Sequence, residues 1–212
     1  MRRFGNMSYR LLAVVIALFL WVVARGSSSV ERGFDIPVVL QGVPDDLVVV
    51  DPLGQKVSGR RNVSTEIAMH LFIYRNRPDV GAVVHAHPPT ATGFAAAGIP
   101  LDSALCSEII ITLGTVPLAN YETPGTPELA EALAPLVGGH DAILMANHGV
   151  VTYGVDLHTA YMNMETVEHF AKIALVTHLL GKQHPLSDQH VDKLREMRVK
   201  YRNHVEVGKG KE

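Results

Sequence analysis

Cysteine is all but missing from this chain: Cys106 stands alone among 212 residues. A single thiol excludes an intramolecular disulfide framework. With no local partner chemistry for a nucleophile around it, Cys106 is expected to be a buried strand residue. Charge of one sign is lacking too, since 19 Lys and Arg stand against 21 Asp and Glu for a net charge of -2. That balance carries no electrostatic footprint for nucleic acid and points to a small-molecule site. No internal repeat is visible, and low complexity is confined to the Ser27-Ser28-Ser29 triplet and the C-terminal tail. What the chain does have is 47% hydrophobic residues over a length that can bury one sizeable core.

The most informative stretch is Ala82-Val83-Val84-His85-Ala86-His87-Pro88-Pro89-Thr90. A β-branched run rises into a His-x-His pair, and two prolines then stop the strand and can open a helix at its first turn. Side chains two apart on a strand share a face, so both imidazoles look into one space, at a strand end where open α/β sheets build sites. A third imidazole follows another apolar run, Ala142 to Ala146, in Asn147-His148-Gly149, where a histidine between two strands and beside a glycine can sit at the sheet rim. Three neutral imidazoles suit a divalent transition ion and leave coordination positions open, the pattern of a catalytic zinc site. The competing reading is chance, since the chain has 11 histidines.

Four phrases come in one order: Ser64-Thr65-Glu66-x-x-x-His70, Arg77-Pro78-Asp79-Val80-Gly81-Ala82-Val83-Val84-His85-Ala86-His87, Pro124-Gly125-Thr126-x-Glu128-Leu129-Ala130 and Ala146-Asn147-His148-Gly149. In order and spacing, from about residue 47 onward, they resemble the class II aldolase/adducin family, which includes L-fuculose-phosphate aldolases and L-ribulose-5-phosphate 4-epimerases. The resemblance implies a divalent metal, zinc by preference, held by His85, His87 and His148, with Glu66 completing the shell when substrate is absent and serving as catalytic acid/base. It further implies that Ser64 and Thr65 contact the substrate phosphate. Read as structure alone, Ser64-Thr65-Glu66 is an ordinary helix cap followed by a first-turn acid, although a helix N-terminus also favours an anion.

The reaction the resemblance implies is cleavage of a phosphorylated ketose, such as L-fuculose 1-phosphate, into dihydroxyacetone phosphate and an aldehyde. Sugar-phosphate epimerases or dehydratases of the same family are the alternatives that keep the metal. A non-catalytic adducin-like module is the alternative that does not, and a non-functional fusion is a third. The family fold implies a homotetramer with sites near subunit interfaces and a cytoplasmic location.

The N-terminus departs from that pattern. Arg2, Arg3 and Arg10 precede an unbroken apolar run, Leu11 to Ala24, of 14 residues. It is shorter than the ~20 of a membrane-spanning helix and within the range of a signal-peptide core or short anchor. Membrane contact through residues 11–24 would place the rest of the chain on an anchor; a buried helix is the other reading. Val30 to Pro44 reads as a strand with Pro and Gly punctuation, and with the apolar run it resembles the start of YbbR-domain proteins. The expected division is therefore an apolar N-terminal helix over 1–26, a strand segment or linker over 27–46, and a metal-binding domain over 47–212. Gly5-Asn6-Met7-Ser8 spells the loop with which the aldolases bind phosphate, but it runs into the apolar stretch without the strand and turn that should follow.

The predicted elements run as follows. A strand over Leu47–Val50 turns at Asp51-Pro52-Leu53-Gly54 into a short return strand at Lys56-Val57, before the solvated pair Arg60-Arg61. A helix spans Ser64–Asn76, with Ile67, Leu71 and Tyr74 on its apolar stripe. A short helix covers Thr90–Ala97, two strands cover Glu108–Leu113 and Val116–Asn120, and Tyr121 packs beyond them. A core helix is capped by Thr126 with Pro127 at its first position and Leu129, Leu133 and Leu136 at helical spacing. A long helix over Leu157–Leu180, capped by Asp156, carries His158, His169 and His178 on a solvated face. A last helix runs from Ser187 to about Tyr201, which the family resemblance makes a candidate to cover a neighbour's site, before a disordered Lys209–Glu212 tail. This alternation predicts a three-layer α/β/α fold with a central mixed β-sheet, preceded by the apolar N-terminal helix.

Overall fold

Alternation within four strands decides the architecture. The computed structural model of the protein describes residues 44–209, the last nine of them as backbone only. The helix expected over 1–26, the segment 27–43, the Gly5-Asn6-Met7-Ser8 motif, the apolar run 11–24, the Tyr201 side chain and the tail beyond Lys209 lie outside the described residues. The unit that holds the described part spans Gly42–Glu212.

A hairpin opens it, β1 (Val48–Val50) and β2 (Lys56–Gly59), paired antiparallel with a register shift between Val49 and Val50. Its turn is held by the Asp51 carboxylate, which accepts the N–H groups of Leu53 at 2.9 Å and Gln55 at 2.8 Å. Then come α1 (Ile67–Asn76), β3 (Ala82–Ala86), α2 (Pro89–Ala96), α3 (Ser107–Thr112), β4 (Leu118–Ala119), α4 (Pro127–Val137), β5 (Ala142–Met145), β6 (Gly149–Gly154), α5 (Leu157–Leu179) and α6 (Asp188–Lys209). The four-stranded sheet has the order β3-β6-β5-β4. Strand β6 is antiparallel to both its neighbours and β4 is parallel to β5, so β3, β5 and β4 all end at one rim.

Both faces of the sheet are covered. Ala142, Leu144 and Val150 look toward Phe94 of α2, Ile109 and Ile110 of α3, and Val167 and Phe170 of α5. Their strand neighbours Ile143, Met145, Val151 and Tyr153 look the other way, toward Met69 and Ile73 of α1 and Leu129 and Leu133 of α4. This is the expected mixed α/β arrangement with helices on both faces. Among the described residues, no helix is long and apolar enough to cross a membrane.

Three local expectations are corrected. The run Glu108–Leu113 is not a strand: Ser107–Thr112 is helix α3, and Cys106 is a half-buried residue in extended backbone just before it. The β-branched run Ile109-Ile110-Ile111-Thr112 favours strand locally, but only a helix puts Ile109, Ile110 and Leu113 together into the cluster under α2 and α5. Helix α1 begins at Ile67 and not at Ser64, and its sheet-facing residues are Met69 and Ile73. The Ile67 and Leu71 stripe lies instead against the hairpin turn at Gly54. Tyr121, expected to pack, is 55% exposed. The long helix keeps its Asp156 cap, whose carboxylate accepts Thr159 N–H at 2.7 Å, and His158, His169 and His178 are exposed along it.

Candidate metal centre

At the rim where β3 and β5 end, His85, His87 and His148 converge. Their ring centroids stand 4.8, 4.8 and 5.1 Å apart, and one ligand atom from each lies within 4.8 Å of the others. His85 comes from β3 and points to the α1 face with Val83. His87 follows the last strand residue, and His148 closes the loop between β5 and β6. That loop needs an unusual backbone, with Asn147 in the left-handed region at φ 54°, which asparagine tolerates better than most residues. Gly149 is needed for a different reason: a Cβ there would run into the His87 ring and the Ala86 carbonyl.

Glu66 reaches the same point from the residue before α1. Its Oε2 is 2.9 Å from His85 Nε2 and its Oε1 is 3.2 Å from His148 Nε2. The Ser64 hydroxyl, expected to cap the helix, instead accepts the Glu66 N–H at 3.2 Å. Ile67 N–H bonds the Ser64 carbonyl, so the chain makes one turn before the helix and leaves the Glu66 side chain aimed at the imidazoles. Ser64 and Thr65 themselves are exposed beside it.

The protons in this cluster are too few for its acceptors. His85 Nδ1 lies 2.9 Å from the Val150 carbonyl, which can only accept, so the proton is on Nδ1. Burial pushes the His85 pKa below its ordinary value, the Val150 carbonyl and Glu66 oppose this, and the neighbouring imidazoles of His148 and His87 reinforce it. A neutral ring protonated at Nδ1 turns the Nε2 lone pair toward a carboxylate oxygen. Both atoms, His85 Nε2 and Glu66 Oε2, are buried without a hydrogen-bond partner, as is His148 Nδ1. Facing lone pairs in a buried site are costly unless a cation lies between them. The donor set of three imidazoles and a carboxylate suits a divalent transition ion, and the Val150 carbonyl supplies the outer contact that fixes the His85 tautomer.

The three proposed histidine ligands thus cluster, and Glu66 adjoins them through His85 and His148. Other residues bear on the site, His70 and Gly125 from the phrases quoted above and Glu168 without a local sequence signal. His70, one turn into α1 from Glu66, has its pKa lowered by burial and then by His85, against Glu66. Gly125, at φ 81°, brings the Pro124-Gly125-Thr126 loop against the Thr65 backbone. The carboxylate of Glu168, on α5, bonds the first free N–H groups of α2.

The family model for the class II aldolase and adducin N-terminal domain matches residues 39–175. The chain belongs to this family. It is 34% identical over 152 residues to a 5-deoxy-D-ribulose 1-phosphate aldolase of Bacillus thuringiensis, covering 71% of this chain and 70% of that one. It is also 36% identical over 127 residues to a 3-oxo-tetronate 4-phosphate decarboxylase of Pectobacterium atrosepticum, covering 58% of each. Among solved structures, an L-fuculose 1-phosphate aldolase superposes with a TM-score of 0.66 at 37% identity, over 72% of this chain and 71% of that one.

Proposed function

We propose that this protein is a metal-dependent carbon–carbon lyase that cleaves a phosphorylated ketose, such as L-fuculose 1-phosphate, into dihydroxyacetone phosphate and an aldehyde. The observation that carries the reading is the clustering of His85, His87 and His148 with buried, unpartnered ligand atoms on His85, His148 and the adjoining Glu66. The three histidines would hold the ion, Zn2+ by preference, with Glu66 as a fourth ligand in the resting site. When bound, the ion supplies Lewis-acid polarisation of the substrate carbonyl. Glu66 moves the proton at the carbon that loses its bonding partner, a role open to it because it enters from the residue before α1 and not from the strand that carries the ligands. Ser64 and Thr65, exposed next to Glu66, would meet the phosphate.

Decarboxylation of a phosphorylated 3-oxo acid is the second reading, supported by the likeness to the Pectobacterium enzyme. It too leaves a carbanion beside a carbonyl and asks the same proton of Glu66. The retained histidines argue against an adducin-like module without chemistry. Exposed apolar side chains on α5, among them Leu157 at 67% and Leu179 at 78%, support assembly into a homotetramer, which light scattering on the purified protein would measure.

The test is elemental analysis of the purified protein beside a retro-aldol assay on L-fuculose 1-phosphate. Wild type is expected to carry near-stoichiometric metal and His85→Ala to lose it. Glu66→Gln is expected to lose about 10²-fold or more in turnover, the range for removal of an acid/base group. Metal with decarboxylation of the 3-oxo acid and no aldol cleavage would select the second reading; a wild-type protein without metal would overturn both.

A further inference from the structure

Helix α2 joins two of the candidate ligands, and a residue far away in sequence holds its start. Its first residues are Pro88 at the N-cap and Pro89 at the first helical position, with no side-chain cap and no acid in the first turn. Prolines have no N–H to satisfy, so the free donors of the first turn reduce to those of Thr90 and Ala91. Both go to one carboxylate: Glu168 Oε2 accepts Thr90 N–H at 3.1 Å and Ala91 N–H at 2.9 Å, and Oε1 stands 3.3 Å from Thr90 N. The Glu168 side chain is largely buried, and Lys172 lies 3.5 Å from it. Burial would raise this carboxyl, but the Ala91 and Thr90 donors and Lys172 hold it below the usual carboxylate range.

The other end of α2 is tied to the His148 loop. Asn147 donates its backbone N–H to the Ala95 carbonyl at 3.2 Å and its side-chain amide to the Ala96 carbonyl at 3.5 Å. The helix is therefore a strut, with His87 attached just before its first turn and His148 attached beside its last. His85 has the Val150 carbonyl to orient its ring, whereas the His87 ring lies against Gly149 and takes its position from the backbone.

We propose that Glu168 is a positioning residue for the metal centre, its carboxylate capping α2 so that the helix sets the separation of His87 and His148. The inference rests on the metal-binding reading above. Its prediction concerns ion affinity and coordination geometry, with catalysis a downstream effect, because removal of a contact that orients a ligand typically costs about 10–100-fold in metal affinity.

The experiment titrates metal-free full-length protein with Co2+, reading the visible absorption of the bound ion, and with Zn2+ against a chromophoric chelator. Glu168→Ala is expected to weaken both ions by about tenfold or more and to change the Co2+ spectrum. Glu168→Gln, which keeps one acceptor oxygen and the shape, falls between. Adding Pro88→Ser to Glu168→Ala supplies a local cap and is expected to recover part of the affinity. A folded Glu168→Ala with wild-type affinity and spectrum overturns the proposal, as does a loss that Pro88→Ser leaves untouched while Glu168→Gln matches Glu168→Ala. If Glu168→Ala does not fold, the Gln variant decides alone: unchanged affinity and spectrum overturn the role. A wild-type protein that takes up neither ion refutes the metal reading itself, an outcome distinct from those in which only the variants behave unexpectedly.

Discussion

At the scale of single residues, Gly149 shows how a ligand can depend on an atom that is missing. The His87 ring occupies the space a Cβ at position 149 would need, and the Ala86 carbonyl also lies too close to it. Gly149→Ala must push one of them away, and because the other obstacle is backbone, the ring gives. Overpacking of this kind costs about 1–3 kcal/mol. The expected outcome is a folded protein whose midpoint in urea falls and whose Co2+ affinity drops; an affinity equal to wild type would show that His87 is not a ligand. The candidate ligands were legible in sequence, because His85-x-His87 at a strand end and His148 beside a glycine carry the pattern of a site. Glu168 was not, since its partners Thr90 and Ala91 lie 78 and 77 positions away. The one available hint was negative, a helix opened by Pro88-Pro89 with no local residue to cap it.

At the scale of elements, the sequence was readable wherever local chemistry and tertiary packing ask for the same thing. The long helix is the clear case: Asp156 in extended backbone caps it, its carboxylate taking the Thr159 N–H, and Gly181 at φ 69° ends it. Asp156→Ala should cost about 1 kcal/mol and lower the melting temperature by roughly 2–4 °C, as for a domain of this size. Metal content should stay unchanged, because the cap lies roughly three helical turns from Glu168; a variant that melts like wild type would show the cap to be redundant. Helix α3 is the opposite case. Three consecutive isoleucines prefer a strand, and the burial of Ile109 and Ile110 beneath neighbours that are remote in sequence overrides that preference. In α1 the stripe that the sequence pattern predicts lies on the face away from the sheet. Both its faces are apolar, one under the hairpin and one on the sheet, and a stripe count cannot tell which partner is the core.

At the scale of the whole molecule, the site is a cost that the fold carries until a cation fills it. Burial lowers the pKa of both His70 and His85, with His85 adding to the effect on His70 and the other two site imidazoles adding to that on His85. Their ordinary value is 6.5, so as pH falls through that value the unfolded chain takes up protons that the native protein does not. Stability of the metal-free protein therefore rises with pH up to about 6.5 and levels above it, and on acidification it declines until the lowered native values are reached. Urea denaturation of the metal-free protein at pH 8 and pH 5.5 should show the lower midpoint at pH 5.5. His70→Gln, which removes one of the two groups and replaces none of the candidate ligands, should shrink that difference. Equal midpoints in the wild type would mean that neither histidine is kept neutral by the fold. Saturating Zn2+ should widen the gap between the two pH values, because the ion binds neutral imidazole and its contribution to stability is lost as the ligands take up protons.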